Sequence, residues 1–358
     1  MNPLRPGTHT YPTGQRLSVS LAYQDNKARW QRAAKRINDV IKQWPYEKVQ
    51  VDKADAPKVR KDEKRTAVLT NMEFKSHWFA RDENQDVPIK VLNAEVRLFT
   101  NATRYEYLVD AALMDRTMDI IGRILMEDLL SGSEFWTTRF WLGDYIEPAV
   151  IDGTVDSLES AIRITDGTPV EADVAILTAQ QQLQTPAYMD RLRLVHGRVF
   201  EEMKGLTGDM KSQLRMTLTE GMARGVGIRD LTGMINKRLS VGMGRARRIA
   251  RTEINNAYRQ AYMDESTELN DTALKGDQYK IMQCHRSALS PTTRPPHAAR
   301  HGNIYTVQQQ KDWWATGANA INCLCSTLDV LVNTKTGEIL QSGMIKTMKK
   351  QKKEWFPA

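Results

Sequence analysis

The stretch RARRIARTEINNAYRQAY, residues 245–262, constrains the fold more than any other part of the chain. Its apolar positions Ala246, Ile249, Ala250, Ile254, Ala257 and Ala261 recur at three- and four-residue spacing, which gathers them on one face of an α-helix. Most of them are alanines. Side chains this small let a neighbouring element come close, so the helix is predicted to run through the centre of its domain. Arg245, Arg248, Thr252 and Arg259 lie off the stripe, and Glu253 interrupts the basic run. A carboxylate near a core is tolerated only when paired, so Glu253 is expected to hold a buried or half-buried arginine.

Charge is distributed unevenly. The net balance is +8, but its blocks say more than its sum. From Lys27 to Arg65 there are thirteen Lys/Arg against six Asp/Glu, whereas between Asp144 and Asp173 eight acids face Arg163 alone. Ile235–Gln260 returns seven basic residues against Glu253, and the tail KTMKKQKKEWFPA adds five lysines against Glu354. One such block is an ordinary solvated face. Three in one chain favour a polyanion such as duplex DNA, whose counterions are released as lysines and arginines replace them. No apolar run reaches membrane-spanning length, and MNPLRPGTHTYPTGQ lacks a secretory layout, so no membrane partner is expected and the protein should stay where it is made. Three cysteines, two of them in a C-x-C, are too few for a disulfide framework.

The fold class read from the chain is α+β: a mostly helical N-terminal and middle part, then a small C-terminal α+β domain. Residues 1–26, rich in Pro, Gly, Thr and Ser, read as an extended arm. Residues 27–185 read as a mainly helical domain, opened by an amphipathic helix carrying Trp30, Ile37, Val40, Ile41 and Trp44. Within it, residues 48–65 suggest a loop and 66–98 short β-like pieces. A long helix follows, capped at Asn101 or Thr103 and stopped at Gly132, with Gly153 and Gly167 breaking the acidic stretch beyond. Residues 186–333 form the next unit. It begins with two helical stretches joined at a glycine-bearing turn, and Gly242-Met243-Gly244 leads into the opening helix. From about Lys275, DQYKIMQC, GNIYTV and CSTLDVLV read as strands. Residues 334–358 form a basic tail, where Trp355 and Phe356 could stack on a base or dock on a partner.

Three motifs in order give the C-terminal unit a likeness. They are IARTEINNAYRQAY with Arg251, Thr252 and Glu253; TTRPPHAARHG with Arg294, His297 and Gly302; and NCLCSTLDVLV with Asn322, Cys323 and Cys325. Over roughly residues 190–332 the chain resembles the phage Mu F-like minor head proteins, the head morphogenesis family of tailed phages. The pattern departs at Ser290 and Pro291, where an acid is usual, at His301, where Asp is common, and at Leu324, where Arg is common. The resemblance implies a non-enzymatic minor head protein inside the virion, near the portal. It would act in head morphogenesis, genome packaging or ejection, with the host cytoplasm as its place of assembly. Portal protein is the implied partner, with capsid or scaffold proteins as further ones.

The charge blocks assign non-specific DNA contact to Arg245, Arg247, Arg248, Arg251 and Arg259 and to Lys349, Lys350, Lys352 and Lys353. Pro295-Pro296 can start a helical turn that places His297 and His301 at i and i+4. With Cys284, Cys323 and Cys325 these make a candidate structural zinc set. The competing reading has the cysteines as compact hydrophobes and His297 bonded to backbone or Asn322, with no cofactor. Two further functions stand beside the head-protein reading. One is a metal-dependent nuclease built on His297, His301, Glu253 and the cysteines; the other is a portal-binding adaptor without DNA contact.

Overall fold

The computed structural model describes residues 11–50, 103–108, 110–131, 140–166, 181 and 185–355. Helix α1 (Arg16–Lys42) is followed by strands β1 (Tyr46–Gln50) and β2 (Thr103–Tyr107) and helices α2 (Ala111–Leu129), α3 (Gly143–Asp166), α4 (Pro186–Ala223) and α5 (Ile228–Asp271). Then come β3 (Tyr279–Arg286), α6 (Pro295–Arg300), β4 (Ile304–Tyr305), α7 (Val307–Ala315), β5 (Ser326–Asn333) and α8 (Ser342–Trp355). Strands β1 and β2 make an antiparallel pair. Strand β3 lies between β4 and β5, antiparallel to both, with Cys284 opposite Ile304 on one side and Leu328 on the other. No helix among the described residues is long and apolar enough to cross a membrane. The α+β class therefore stands.

Helix α5 organises the molecule. Its 44 residues extend about 66 Å at 1.5 Å per residue. It packs on α1, α3 and α4 and then on β3, β5 and α7. The small-residue stripe does what its spacing predicts: Ala246, Ala250, Ile254 and Ala257 are buried. The turn before it needs glycine, since Gly225 has φ +64 and closes α4. Gly242 is no linker. It lies inside α5, where an added Cβ would stand 2.5 Å from the Trp30 ring of α1 and 2.7 Å from Met210 Sδ of α4. Glycine here is the condition for three helices meeting. Gly153, expected as a breaker, is likewise inside α3, with a built Cβ only 2.3 Å from the Tyr258 carbonyl oxygen.

Other boundaries move for physical reasons. Helix α1 starts at Arg16, so residues 16–26 are helical rather than an extended arm, because Val19, Ala22 and Asn26 bury the same face as Trp30. The helix expected from Asn101 or Thr103 starts at Ala111. Asp110 caps it by accepting from the Ala112 and Leu113 amides, while Thr103–Tyr107 pairs with β1. One core runs through the expected boundary at 185/186, where Phe140 meets Phe200 edge to face at 5.5 Å. The basic tail is folded too: α8 buries Ile345 and Met348 against Cys284, Leu328 and Val330. The β-like pieces at 66–98, most of the charged loop at 48–65, and Gly132 and Gly167 lie outside the described residues.

The sheet is joined to the helices by a buried carboxylate. Asp329 on β5 accepts from Ser266 Oγ at 2.8 Å, Gln283 Nε2 at 2.6 Å and Ser157 Oγ at 3.3 Å, while its backbone N–H donates to Tyr262 Oη at 3.2 Å. Those partners come from α5, β3 and α3. Burial outweighs the hydrogen bonds and raises the Asp329 carboxyl from 3.8 to about 7.

Two expectations follow. Gly242→Ala should destabilise by about 1–3 kcal/mol in urea unfolding despite its better helix propensity, because the Trp30 ring cannot yield. Gly244→Ala, with nothing within 4 Å of the new methyl, should be neutral or stabilising. For Asp329 the folded state holds its proton more tightly than the unfolded chain. The carboxyl's contribution is therefore complete below the unfolded pKa and lost as pH rises through the folded one. The stability difference between wild type and Asp329→Asn should fall between pH 3.8 and about 7, by up to about 1.4 kcal/mol per pH unit. A flat difference would contradict it.

Candidate functional site

The three sequence motifs converge on one loop, residues 316–325, which runs from α7 to β5. Arg294, the residue before α6, donates to the carbonyls of Ala318 at 2.6 Å, Asn319 at 2.9 Å and Ile321 at 3.2 Å. Arg251 Nη1 donates to Asn322 Oδ1 at 3.1 Å, and the Asn322 amide donates to Thr252 Oγ1 at 2.8 Å. Asn322 has φ +54, a conformation in which asparagine is among the few comfortable residues, and it turns the chain into the C-x-C. Gly302, at φ +74, ends the α6 turn where a Cβ would crowd Met348 and Lys349 of α8. These motif residues act as staples that fix a loop.

Arg259 holds the other side of that loop. It is 1% exposed and is not available to DNA, so its assignment to a nucleic-acid surface is corrected. Its position off the alanine stripe suggested solvent, but α5 is covered on that side by the C-terminal unit. The guanidinium donates to the carbonyls of Cys323 at 3.2 Å and Cys325 at 3.0 Å, bonds Asn256, and lies 4.8 Å from the Trp314 ring centroid. Glu253 has an arginine partner, Arg198, whose Nη2 lies 2.5 Å from its carboxylate, but the arginine is exposed at 49% rather than buried or half-buried as expected, and it is Glu253 that is buried. Burial raises the Glu253 carboxyl, and the Arg198 charge pulls it back.

Of the five candidate ligands, three come together. Cys323 Sγ and Cys325 Sγ lie 3.4 and 3.5 Å from His297 Nδ1, and all three side chains are buried. His297 Nε2 is buried without a partner, and the ring stands edge to face on Trp313 at 4.7 Å. Burial opposes ionisation of Cys323, but the bond from Cys325, the Arg259 charge and His297 outweigh it and hold the thiol well below its ordinary value. Cys325 is pushed the other way by its bond to Cys323 and by burial.

The remaining two candidates are elsewhere. Strand alternation sends Cys284 to the opposite sheet face from His285. There it lies 3.7 Å from Met348 Sδ, and burial pushes its thiol up to about 12. His301 caps α6 at φ −55, ψ 123, so it leaves the helix instead of sharing a face with His297. Its Nδ1 accepts from the Ser287 amide at 3.0 Å and its Nε2 faces Gln351. His285, the donor next to Cys284 in the sequence, pairs with Gln310 at 2.6 Å and is held neutral by burial. Of the residues named for a nuclease, Glu253 is engaged by Arg198, and His301 by Ser287 and Gln351.

The basic face is smaller than its residue count. Arg245 pairs with Asp209 at 2.7 Å, and Arg247 lies 4.1 Å over the Tyr23 ring with its own charge exposed. On α1, Arg32 and Arg36 are spent on Asp128 and Glu127, and Arg29 on Asp25. Lys237, Arg238 and Arg248 are exposed and form no salt bridge among the described residues. On α8, Lys349, Lys350 and Lys353 are exposed, with Glu354 4.0 Å from Lys350. Lys352 is half-buried and donates to Ala299 O and Asn303 Oδ1, each at 3.1 Å.

Replacing Arg259 by Met should cost about 3 kcal/mol in chemical denaturation, since two buried carbonyls lose a charged donor. A loss below about 1 kcal/mol would show that the guanidinium does not support the loop.

Comparison with known proteins agrees with the residues that carry the geometry. Residues 212–328 match the family model described as Phage Mu protein F like protein, an interval that includes every motif position from Arg251 to Cys325. No curated protein and no solved structure matches the chain.

Proposed function

We propose that the chain, whose residues 212–328 form a Mu F-like segment, is a minor head protein of a tailed bacteriophage. It acts in head morphogenesis and contacts packaged DNA without reading sequence. The family match carries the head assignment. The exposed, unbridged cations of α5 and α8 support the DNA contact, because phosphate neutralisation needs charge and reach rather than shaped base recognition. Association with the portal inside the capsid, and a part in packaging or ejection, follow from the same family reading. No reaction chemistry is invoked.

DNA retention should weaken steeply with salt. Replacing Lys237, Arg238 and Arg248 together by Glu should lower retention at low salt and flatten the log–log salt slope by about 3, roughly 1 for each phosphate left without its cation. These side chains are exposed, so thermal stability should hold. An unchanged slope removes DNA contact by α5.

The adaptor reading has one observation in its favour. Arg29, Arg32, Arg36 and Arg245 are tied up in internal ion pairs, so part of the basic count is already offset by the chain's own acids. Co-sedimentation with portal protein, together with absent DNA retention, would favour it. The polypeptide's absence from purified virions would end both readings.

A further inference from the structure

We propose that His297, Cys323 and Cys325 bind a zinc ion that locks the C-x-C turn onto helix α6. The inference is independent of what the protein does in the virion.

The geometry comes first. In a tetrahedral site with Zn–N near 2.0–2.1 Å and Zn–S near 2.3 Å, neighbouring nitrogen and sulfur ligands stand about 3.5 Å apart. Nδ1 of His297 lies 3.4 Å from Cys323 Sγ and 3.5 Å from Cys325 Sγ, and all three donor atoms fall within 4.8 Å of one another. Both nitrogen–sulfur edges of a zinc tetrahedron's face are therefore already at the length the metal requires.

Hydrogen bonding argues the same way. Among the described residues, the only polar contacts of the buried His297 ring are the two sulfurs at its Nδ1. Thiols are weak donors, so two of them satisfy a buried imidazole poorly. A metal ion replaces those weak contacts with strong bonds from the same nitrogen and both sulfurs.

The surroundings suit thiolates. Arg259 holds the carbonyls of both cysteines and brings a buried positive charge to the C-x-C. The Cys325 amide donates to Cys323 Sγ at 3.4 Å, and Ser287 Oγ lies 3.7 Å from Cys325 Sγ. Such contacts orient and stabilise metal-bound sulfur. All three residues are nearly inaccessible, so the ion would serve the fold rather than a substrate, with a fourth ligand beyond this trio completing the tetrahedron. Two thiolates and a neutral imidazole select zinc over hard cations.

The test uses the full untagged chain, desalted in the presence of chelator. Mass spectrometry of the metal content should find close to one zinc per chain, released when an organomercurial caps the thiols. Cys323→Ser and Cys325→Ser should lose the metal. Cys284→Ser and His301→Ala, outside the trio, should keep it. Because the first two variants risk misfolding, cobalt loading of the wild type provides a second reading. Sulfur-to-cobalt charge transfer with the intense visible bands of tetrahedral cobalt would support the site. Zinc below about a tenth of an equivalent, with no cobalt bands, would overturn it. So would a Cys323–Cys325 disulfide in the purified protein, or retention of full zinc by Cys323→Ser and Cys325→Ser.

Discussion

One helix has to satisfy three different sets of neighbours, and the remaining structure follows from how it does so. The first half of α5 lies between α1 and α4, where closeness is the requirement: Gly242, Ala246 and Ala250 keep its surface low, while α3 packs on the second half at Tyr258 and Ala261. Its second half faces the sheet and the 316–325 loop, where polar groups must be matched. Thr252, Arg259 and Ser266 are buried there, each with a partner, while the buried Asn255 donates to Tyr11 Oη on another side of the helix. A single continuous rod therefore couples a helical bundle to a small α+β unit without a hinge between them.

That coupling gives the family motifs a physical meaning. Arg251, Thr252 and Asn322 tie the loop to α5, while Arg294 ties it to the entrance of α6. Each contact spans elements far apart in sequence, so the motif records a tertiary junction rather than a local signature. Arginine suits such a task, because its planar fork reaches several carbonyls at once. The same junction brings His297 to the two cysteines. Nearby, His301 bonds the Ser287 amide and faces Gln351.

Much of this was legible in the sequence, for identifiable reasons. Helical periodicity gave the stripe of α5, and the short strand-like runs gave β3 and β5 close to their observed limits, whereas GNIYTV yields only Ile304–Tyr305 before Thr306 caps the next helix. Glu253 has an arginine partner, though Arg198 is exposed where a buried or half-buried arginine was expected. The failures share a cause. Gly153 and Gly242 look like breakers in one dimension, and only the neighbouring Tyr258 carbonyl and Trp30 ring show that they are points of close contact. Arg259 looks like surface charge until the C-x-C carbonyls appear above it. Cys284 and His285 are adjacent in sequence yet on opposite sides of a strand. The Asp329 cluster left no local sign at all, since its partners come from α3, α5 and β3.

Helix α8 sets an order in time. Strands β3 and β5 leave the ribosome before it, yet the apolar face they share, with Cys284, Leu328 and Val330, is covered only when Ile345 and Met348 arrive. The sheet is thus born without its lid, and the nascent chain must hold an uncovered greasy surface until the lysine-rich segment is made. The charges on that segment keep the exterior of the finished unit wet. Its sequence is written as much by the need to close the sheet as by anything the lysines later touch.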